Sequence, residues 1–415
     1  MRFIATILSL GALASIPLAI ADAPIKNDGV GVDIVVPDKY IVTYKEGADP
    51  AKKKKHQEDV DKKAKKNKKQ GVTETIDIAG LHAYVVEIAP TDLKSVLSSD
   101  LVDYVEKDTF VNHTGVIMPE DGFPSLNKRA YTTQRQVAWG LGRISHRAQG
   151  SSDYYYDQTA GAGARVYVVD TGIMTTHDEF SGGRAVWGAN FIAGSPNTDE
   201  HGHGTHVAGT IGGNVYGVAK RTTLVAVKVL DRYGGGTMSG LLAGINWVVA
   251  DANAKRITRK AVINMSVGGS YTASVNAGVL AATNAGITVV VSAGNNNDNA
   301  AKYSPASAPS AITVGAVEGT DHRAWFSNFG AGVDLFAPGV SVESSFIGAH
   351  DAYRYLAGTS MASPHVAGLA AYFIAKEGLS GSAAVTSRIL SASTAGVVVD
   401  PAGSPNRLAY NAGGL

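Results

Sequence analysis

The chain predicts an α/β protein: a doubly wound parallel sheet with helices on both faces, preceded by a small α+β domain. Three observations carry this. Short apolar, β-branched runs recur at 165–170, 223–230, 261–267, 287–294 and 311–317. Such runs suit strands buried on both faces. Helical periods lie among them at 239–252 and 274–286, and another runs from Ser360 to about 378. Strands alternating with amphipathic helices form parallel sheets. Residues 22–129 have a different texture, poor in Gly and aromatics, with strand-like runs at 39–45, 81–88 and 101–108. Helical stretches at 52–69 and 89–99 lie between them, a pattern suited to an open α+β sheet.

At 415 residues the chain is too long for one ordinary domain. With 45% hydrophobic and 18% charged residues it is globular rather than disordered. A net charge of +1 gives no basis for a nucleic-acid partner. Residues 52–69 carry ten lysines, but residues 22–129 hold 17 Lys/Arg against 19 Asp/Glu, so the run reads as a solvated helix face. There are no cysteines, which excludes disulfides, thiolate metal sites and a cysteine nucleophile.

The N-terminus reads as a secretory signal: Arg2, an apolar run, then Ala19-Ile20-Ala21, with cleavage after Ala21. The run is short for a membrane span and contains Gly11, Ser15 and Pro17. No later segment is apolar enough to span a bilayer, so a soluble, secreted protein with no membrane partner is expected. Residues 112–129 read as a linker, with Pro119, Gly122 and Pro124, ending in the dibasic pair Lys128-Arg129. Asn112 and Asn264 each open a glycosylation sequon; the second lies on a buried strand and is expected to stay unmodified.

Ligands of doubly wound sheets bind beyond the carboxyl ends of the strands. There, Asp170-Thr171-Gly172 follows the first strand. Aspartic peptidases need two such aspartates, and no second Asp-Thr-Gly or Asp-Ser-Gly occurs. His201, His203 and His206 follow, at spacings of two and three with no intervening Glu. They read either as zinc ligands or as a general base, His203, at a helix start flanked by Gly202 and Gly204. In the second reading His206 is a packed structural residue and His201 lies exposed on the preceding loop. Ser360 opens the last long helix, as an N-cap or as a nucleophile whose oxyanion the helix N-terminus would favour. Asn295, directly after a buried strand, is an Asn-rich turn residue or an oxyanion donor.

Together Asp-Thr-Gly (170–172), His-Gly-Thr-His (203–206), Ser-Ala-Gly-Asn (292–295) and Gly-Thr-Ser-Met-Ala-Ser-Pro-His (358–365) resemble the subtilisin superfamily of serine peptidases. The nearest likeness is to its proteinase K-like secreted fungal branch, and Asp, His and Ser stand in that family's known chain order. The resemblance implies a zymogen: signal 1–21, inhibitory propeptide 22–129 and peptidase domain 130–415. It implies Ser360 as nucleophile, His203 as general base, Asp170 as the carboxylate orienting it, and Asn295 with the Ser360 N–H as oxyanion hole. Gly234, Gly235, Ser266, Val267 and Gly268 would sandwich an extended substrate, and the segments 266–269 and 292–295, with Ala293 and Gly294, would wall the S1 pocket. Protein substrates with large apolar or aromatic P1 residues, the chain's own propeptide as inhibitor, a monomer, and no catalytic cofactor are implied as well. Members of the branch degrade extracellular protein, some of them animal cuticle. Structural calcium would rest on the carbonyls of Pro309 and Ala311 and on Asp334.

The chain departs from the branch in lacking Cys at Arg165 and Val207, in Met238 where a tyrosine lines S4, and in Gly396, which cannot ligate a second calcium. Two other classes compete with this reading. One is a catalytically dead binding module, disfavoured because all the implied active-site residues are present. The other is a metal-dependent hydrolase on the three histidines.

Overall fold

The computed structural model describes residues 21–117 and 133–413. Most of the signal sequence, the Lys128-Arg129 pair and Ala130 lie outside the described residues.

Nine strands form the main sheet, in the spatial order 394–395, 407–408, 335–338, 312–317, 288–292, 261–265, 165–170, 223–228 and 185–190. All neighbours run parallel except the edge pair 394–395/407–408. The strand Arg165–Asp170 lies between Thr223–Lys228 and Ala261–Met265. Later strands thus extend the sheet in both directions from it, and Asp170 ends at the point where the winding reverses, where such sheets bind ligands.

Alternation within each strand builds two cores. Val166, Val168, Leu224, Ala226, Val262 and Val290 join one cluster with the helices His203–Gly212 and Thr359–Glu377. Tyr167, Val169, Val225, Val227, Ile263 and Val289 join the other with Met238–Ala254 and Ala273–Asn284. Both faces are apolar because both are covered. The five strands expected after residue 130 are all present. The sheet also contains Ala185–Asn190 and Leu335–Pro338, which are too short and too mixed in character to stand out.

The N-terminal unit is a four-stranded antiparallel sheet, Val102–His113, Val35–Tyr44, Leu81–Glu87 and Gly71–Ile78 in spatial order. The helices Pro50–Lys66 and Pro90–Leu97 cover one face. The lysine-rich helix buries only Val60 and Ala64, as a solvated face requires. From the other face Ile41, Ile76, Ile78, Leu81 and Ala83 enter the same core as Leu241, Leu242, Ile245 and Val279. Two carboxylates complete the junction. Glu106 is fully buried and accepts from the N–H groups of Ala273 (2.7 Å) and Ser274 (2.9 Å) and from Ser274 Oγ (2.6 Å). Asp108, equally buried, accepts from Ser239 N–H (2.9 Å) and Ser239 Oγ (2.6 Å). Each carboxylate satisfies the free donors at the start of one helix of the C-terminal unit, where the helix dipole favours negative charge.

The expected linker is corrected at its beginning. Residues 112–113 end the strand Val102–His113, and Val116–Ile117 form a further short strand. Their polar and glycine content resembles a linker, but strand edges of the C-terminal unit satisfy their backbone.

Candidate active site

Asp170 is fully buried at the end of its strand. Its Oδ1 accepts the Thr171 N–H at 2.7 Å and lies 2.7 Å from His203 Nδ1. Burial pushes this carboxyl up. The neighbouring His203 and the Thr171 N–H outweigh that, so the group stays below the ordinary carboxylate value. His203 is the first residue of the helix His203–Gly212, whose N-cap is Gly202 at φ 99°. A Cβ on Gly202 would stand 2.4 Å from the Phe346 ring, so both the conformation and the space require glycine.

The three histidines do not converge. His206 is fully buried, with Nε2 3.0 Å from the carbonyls of both Val342 and Arg354. Burial pushes it down to about 3, consistent with a neutral structural imidazole. His201, expected to be exposed, is half-buried, its ring 4.7 Å from that of His113. The cause is the N-terminal unit, whose last strand covers the loop. Among the described residues no cluster of three His, Cys, Asp or Glu side chains is arranged to hold a metal.

The helix Thr359–Glu377 is capped by Gly358, so Ser360 lies in its first turn rather than at the N-cap. Ser360 Oγ donates to the Ser266 carbonyl at 3.0 Å and lies 2.5 Å from Thr114 Oγ1. His203 Nε2 is buried without a hydrogen-bond partner among the described residues, so no Ser360–His203 bond exists in this state. Thr114 occupies the Ser360 hydroxyl instead.

The segment ending at Thr114 lies as an added strand between two edges. Asn112 faces Gly235 on one side and Gly268 on the other, and Val267 faces His113. His113 N–H donates to the Gly234 carbonyl (3.1 Å) and Thr114 N–H to that of Ser266 (3.2 Å). The Thr114 carbonyl accepts from Ser360 N–H at 3.2 Å and from Asn295 Nδ2 at 2.6 Å. A Cβ on Gly358, at φ 144°, would approach that carbonyl to 2.3 Å. Beside Thr114 lies a cavity of about 390 Å³, lined in part by Gly268, Ala293, Gly294 and Asn295. Beyond the site, Val116 and Ile117 pair antiparallel with Ala357 and Leu356.

This arrangement can do acyl transfer. It has a hydroxyl at a helix start, an imidazole oriented by a carboxylate, and two donors on one carbonyl of an extended peptide. Residues 161–409 match the Subtilase family, and residues 39–113 match the family described as Peptidase inhibitor I9. The chain belongs to the subtilase family. It is a serine protease with an I9 prosegment. This subtilase is 46% identical to Subtilisin-like protease 2 of Pseudogymnoascus destructans, over 100% of both chains. It is 42% identical to the Cuticle-degrading protease of Metarhizium anisopliae, over 91% of this chain and 90% of that one. Among solved structures, a cold adapted subtilisin-like serine proteinase matches with TM-score 0.63 and 40% identity, covering 66% of this chain and 98% of that one.

Two supporting residues and one strand of this subtilase escape sequence reasoning. Asp199 accepts from Thr171 Oγ1 (2.9 Å) and from the N–H groups of Gly202 (2.8 Å) and Thr205 (2.9 Å), which pins the start of the His203 helix to the Asp170 loop. Thr359 donates from N–H (2.9 Å) and Oγ1 (2.8 Å) to Asn295 Oδ1, which turns the Asn295 amide nitrogen toward Thr114. Tyr353–Ala357 supplies the edge beyond the site. Only Asp199 carried a signal, as an Asp a few residues before a helix start.

Proposed function

We propose that the chain is a secreted endopeptidase made as a zymogen, with Ser360 as nucleophile and His203 as general base. Asp170 holds the imidazole in the tautomer that presents Nε2 to the serine and stabilises its charged form. Ser360 N–H and Asn295 Nδ2 hold the oxyanion. The observation that carries this reading is the Thr114 carbonyl, bonded to both donors on a strand flanked by Gly235 and Gly268. The two edges give sequence-independent backbone contacts, which support broad specificity. The cavity beside the small Thr114 side chain supports a preference for large apolar or aromatic P1 residues. The signal-like N-terminus supports secretion; among the described residues no helix is long and apolar enough to cross a membrane. The name of the Metarhizium relative makes cuticle protein a candidate substrate.

Asp334 fits a structural cation. Burial raises its carboxyl pKa. It has no salt bridge among the described residues, and its Oδ2 accepts Thr313 N–H at 2.8 Å, beside the chain leaving Ala311. The carbonyls of Pro309 and Ala311 with this carboxylate would offer calcium the oxygen ligands it prefers.

The test compares casein hydrolysis by the wild-type chain and by Ser360→Ala. Activity only in the wild type is expected, and activity in Ser360→Ala would overturn the reading.

A further inference from the structure

We infer that the first bond cut in maturation is Thr114–Gly115, by the chain's own Ser360. This lies fifteen residues before the Ala130 terminus that the sequence suggested. The inference rests on the serine-peptidase reading above and names a bond that reading does not.

The chain passes through the site held on both sides. Residues 110–113 pair with Gly235–Thr237 and Val267–Gly268, and Val116 and Ile117 pair with Ala357 and Leu356. Between these anchors the Thr114 carbonyl takes both oxyanion donors. Gly115 lies against the imidazole: a Cβ added to it would stand 2.9 Å from His203 Nε2 and 2.8 Å from Cδ2. That nitrogen is buried and unpartnered among the described residues, and it is the atom that must hand a proton to the leaving nitrogen. The register is fixed from a distance. Glu106 and Asp108, eight and six residues before Thr114, cap two peptidase helices. To bring Arg129–Ala130 to Ser360, residues 110–113 would have to leave both edges.

In the cut, Ser360 Oγ leaves Thr114 Oγ1, gives its proton to His203 Nε2 and attacks the Thr114 carbonyl carbon. The C–N bond to Gly115 breaks as His203 returns that proton to the Gly115 nitrogen. Water then cleaves the Thr114–Ser360 ester, with His203 taking and returning one proton. The products are a prosegment ending in the Thr114 carboxylate and a peptidase beginning at Gly115. The prosegment stays held by its caps and edge pairings, so the cut alone does not release activity. The Ala130 terminus then requires a second, later cut.

The experiment refolds the full chain as wild type, Ser360→Ala, the double change Lys128→Ala with Arg129→Ala, and Gly115→Val. Intact mass and N-terminal sequencing follow the products over time, and casein hydrolysis is measured at the end. The expected first products of the wild type and the double variant end at Thr114 and begin at Gly115. Ser360→Ala stays uncut, and Gly115→Val is cut about 100-fold more slowly, the scale of an ångström misplacement at a reacting centre. A first product beginning at Ala130, with no Thr114 terminus at any time, overturns the proposal. If casein is still digested, the peptidase reading survives that outcome. Cutting at Thr114 in Ser360→Ala also overturns it.

Discussion

Glu106→Ala removes one of the two carboxylates that fasten the prosegment to the peptidase. In the wild type this buried group accepts three hydrogen bonds, two of them from Ala273 and Ser274 N–H groups that have no partner inside their own helix. In the separated peptidase those donors face water, so the loss falls on association. Truncating one side of a buried, charge-assisted contact costs about 2–5 kcal/mol. At 1.4 kcal/mol per tenfold this weakens inhibition by about 30- to 4,000-fold. The assay adds prosegment 22–114, wild type or Glu106→Ala, to mature peptidase and reads the inhibition constant on a chromogenic peptide. Glu106→Gln keeps the shape and one acceptor and should fall between the two. An inhibition constant for Glu106→Ala within about threefold of wild type would refute the argument that helix capping holds the prosegment.

Three further outcomes follow. Gly358→Ala places a Cβ 2.3 Å from the position of the Thr114 carbonyl, so kcat/KM should fall about 100-fold while the protein stays folded by circular dichroism. His113 is faced by His203, His201 and Asp170, and burial first, then the two imidazoles, push it down to about 3. The released prosegment, with His113 near its ordinary value of about 6.5, takes up more protons between pH 6.5 and 3. Its grip therefore weakens as pH falls through that window, by about tenfold or more from pH 7 to 5, and His113→Asn should flatten the dependence of the inhibition constant. Calcium at 100 times its Kd would stabilise by about 2.7 kcal/mol. EDTA should then lower Tm by about 5–10 °C, and in Asp334→Asn the EDTA effect should vanish.

The strands of the central sheet were legible because burial on both faces leaves uninterrupted apolar runs such as Arg165–Asp170 and Thr288–Ser292. Gly71–Ile78 was not, because this edge strand alternates polar residues into solvent. Asp170, His203, Asn295 and Ser360 stood out because each follows a strand or opens a helix beside glycine. Asp199 and Thr359 act through bonds to Gly202 and Asn295 that only the fold brings within reach. His201 was misplaced, and residues 112–117 were read as linker, for one reason: their surroundings come from the other unit of the chain.

Covalent labelling shows whether Ser360 is the nucleophile. Mature enzyme is treated with a sulfonyl fluoride until casein hydrolysis stops, and the modified peptide is located by mass spectrometry. One sulfonyl group on Ser360, appearing in step with the loss of activity, is the expected result. Full activity with Ser360 modified, or inactivation with the label elsewhere and Ser360 free, would exclude Ser360 as the nucleophile.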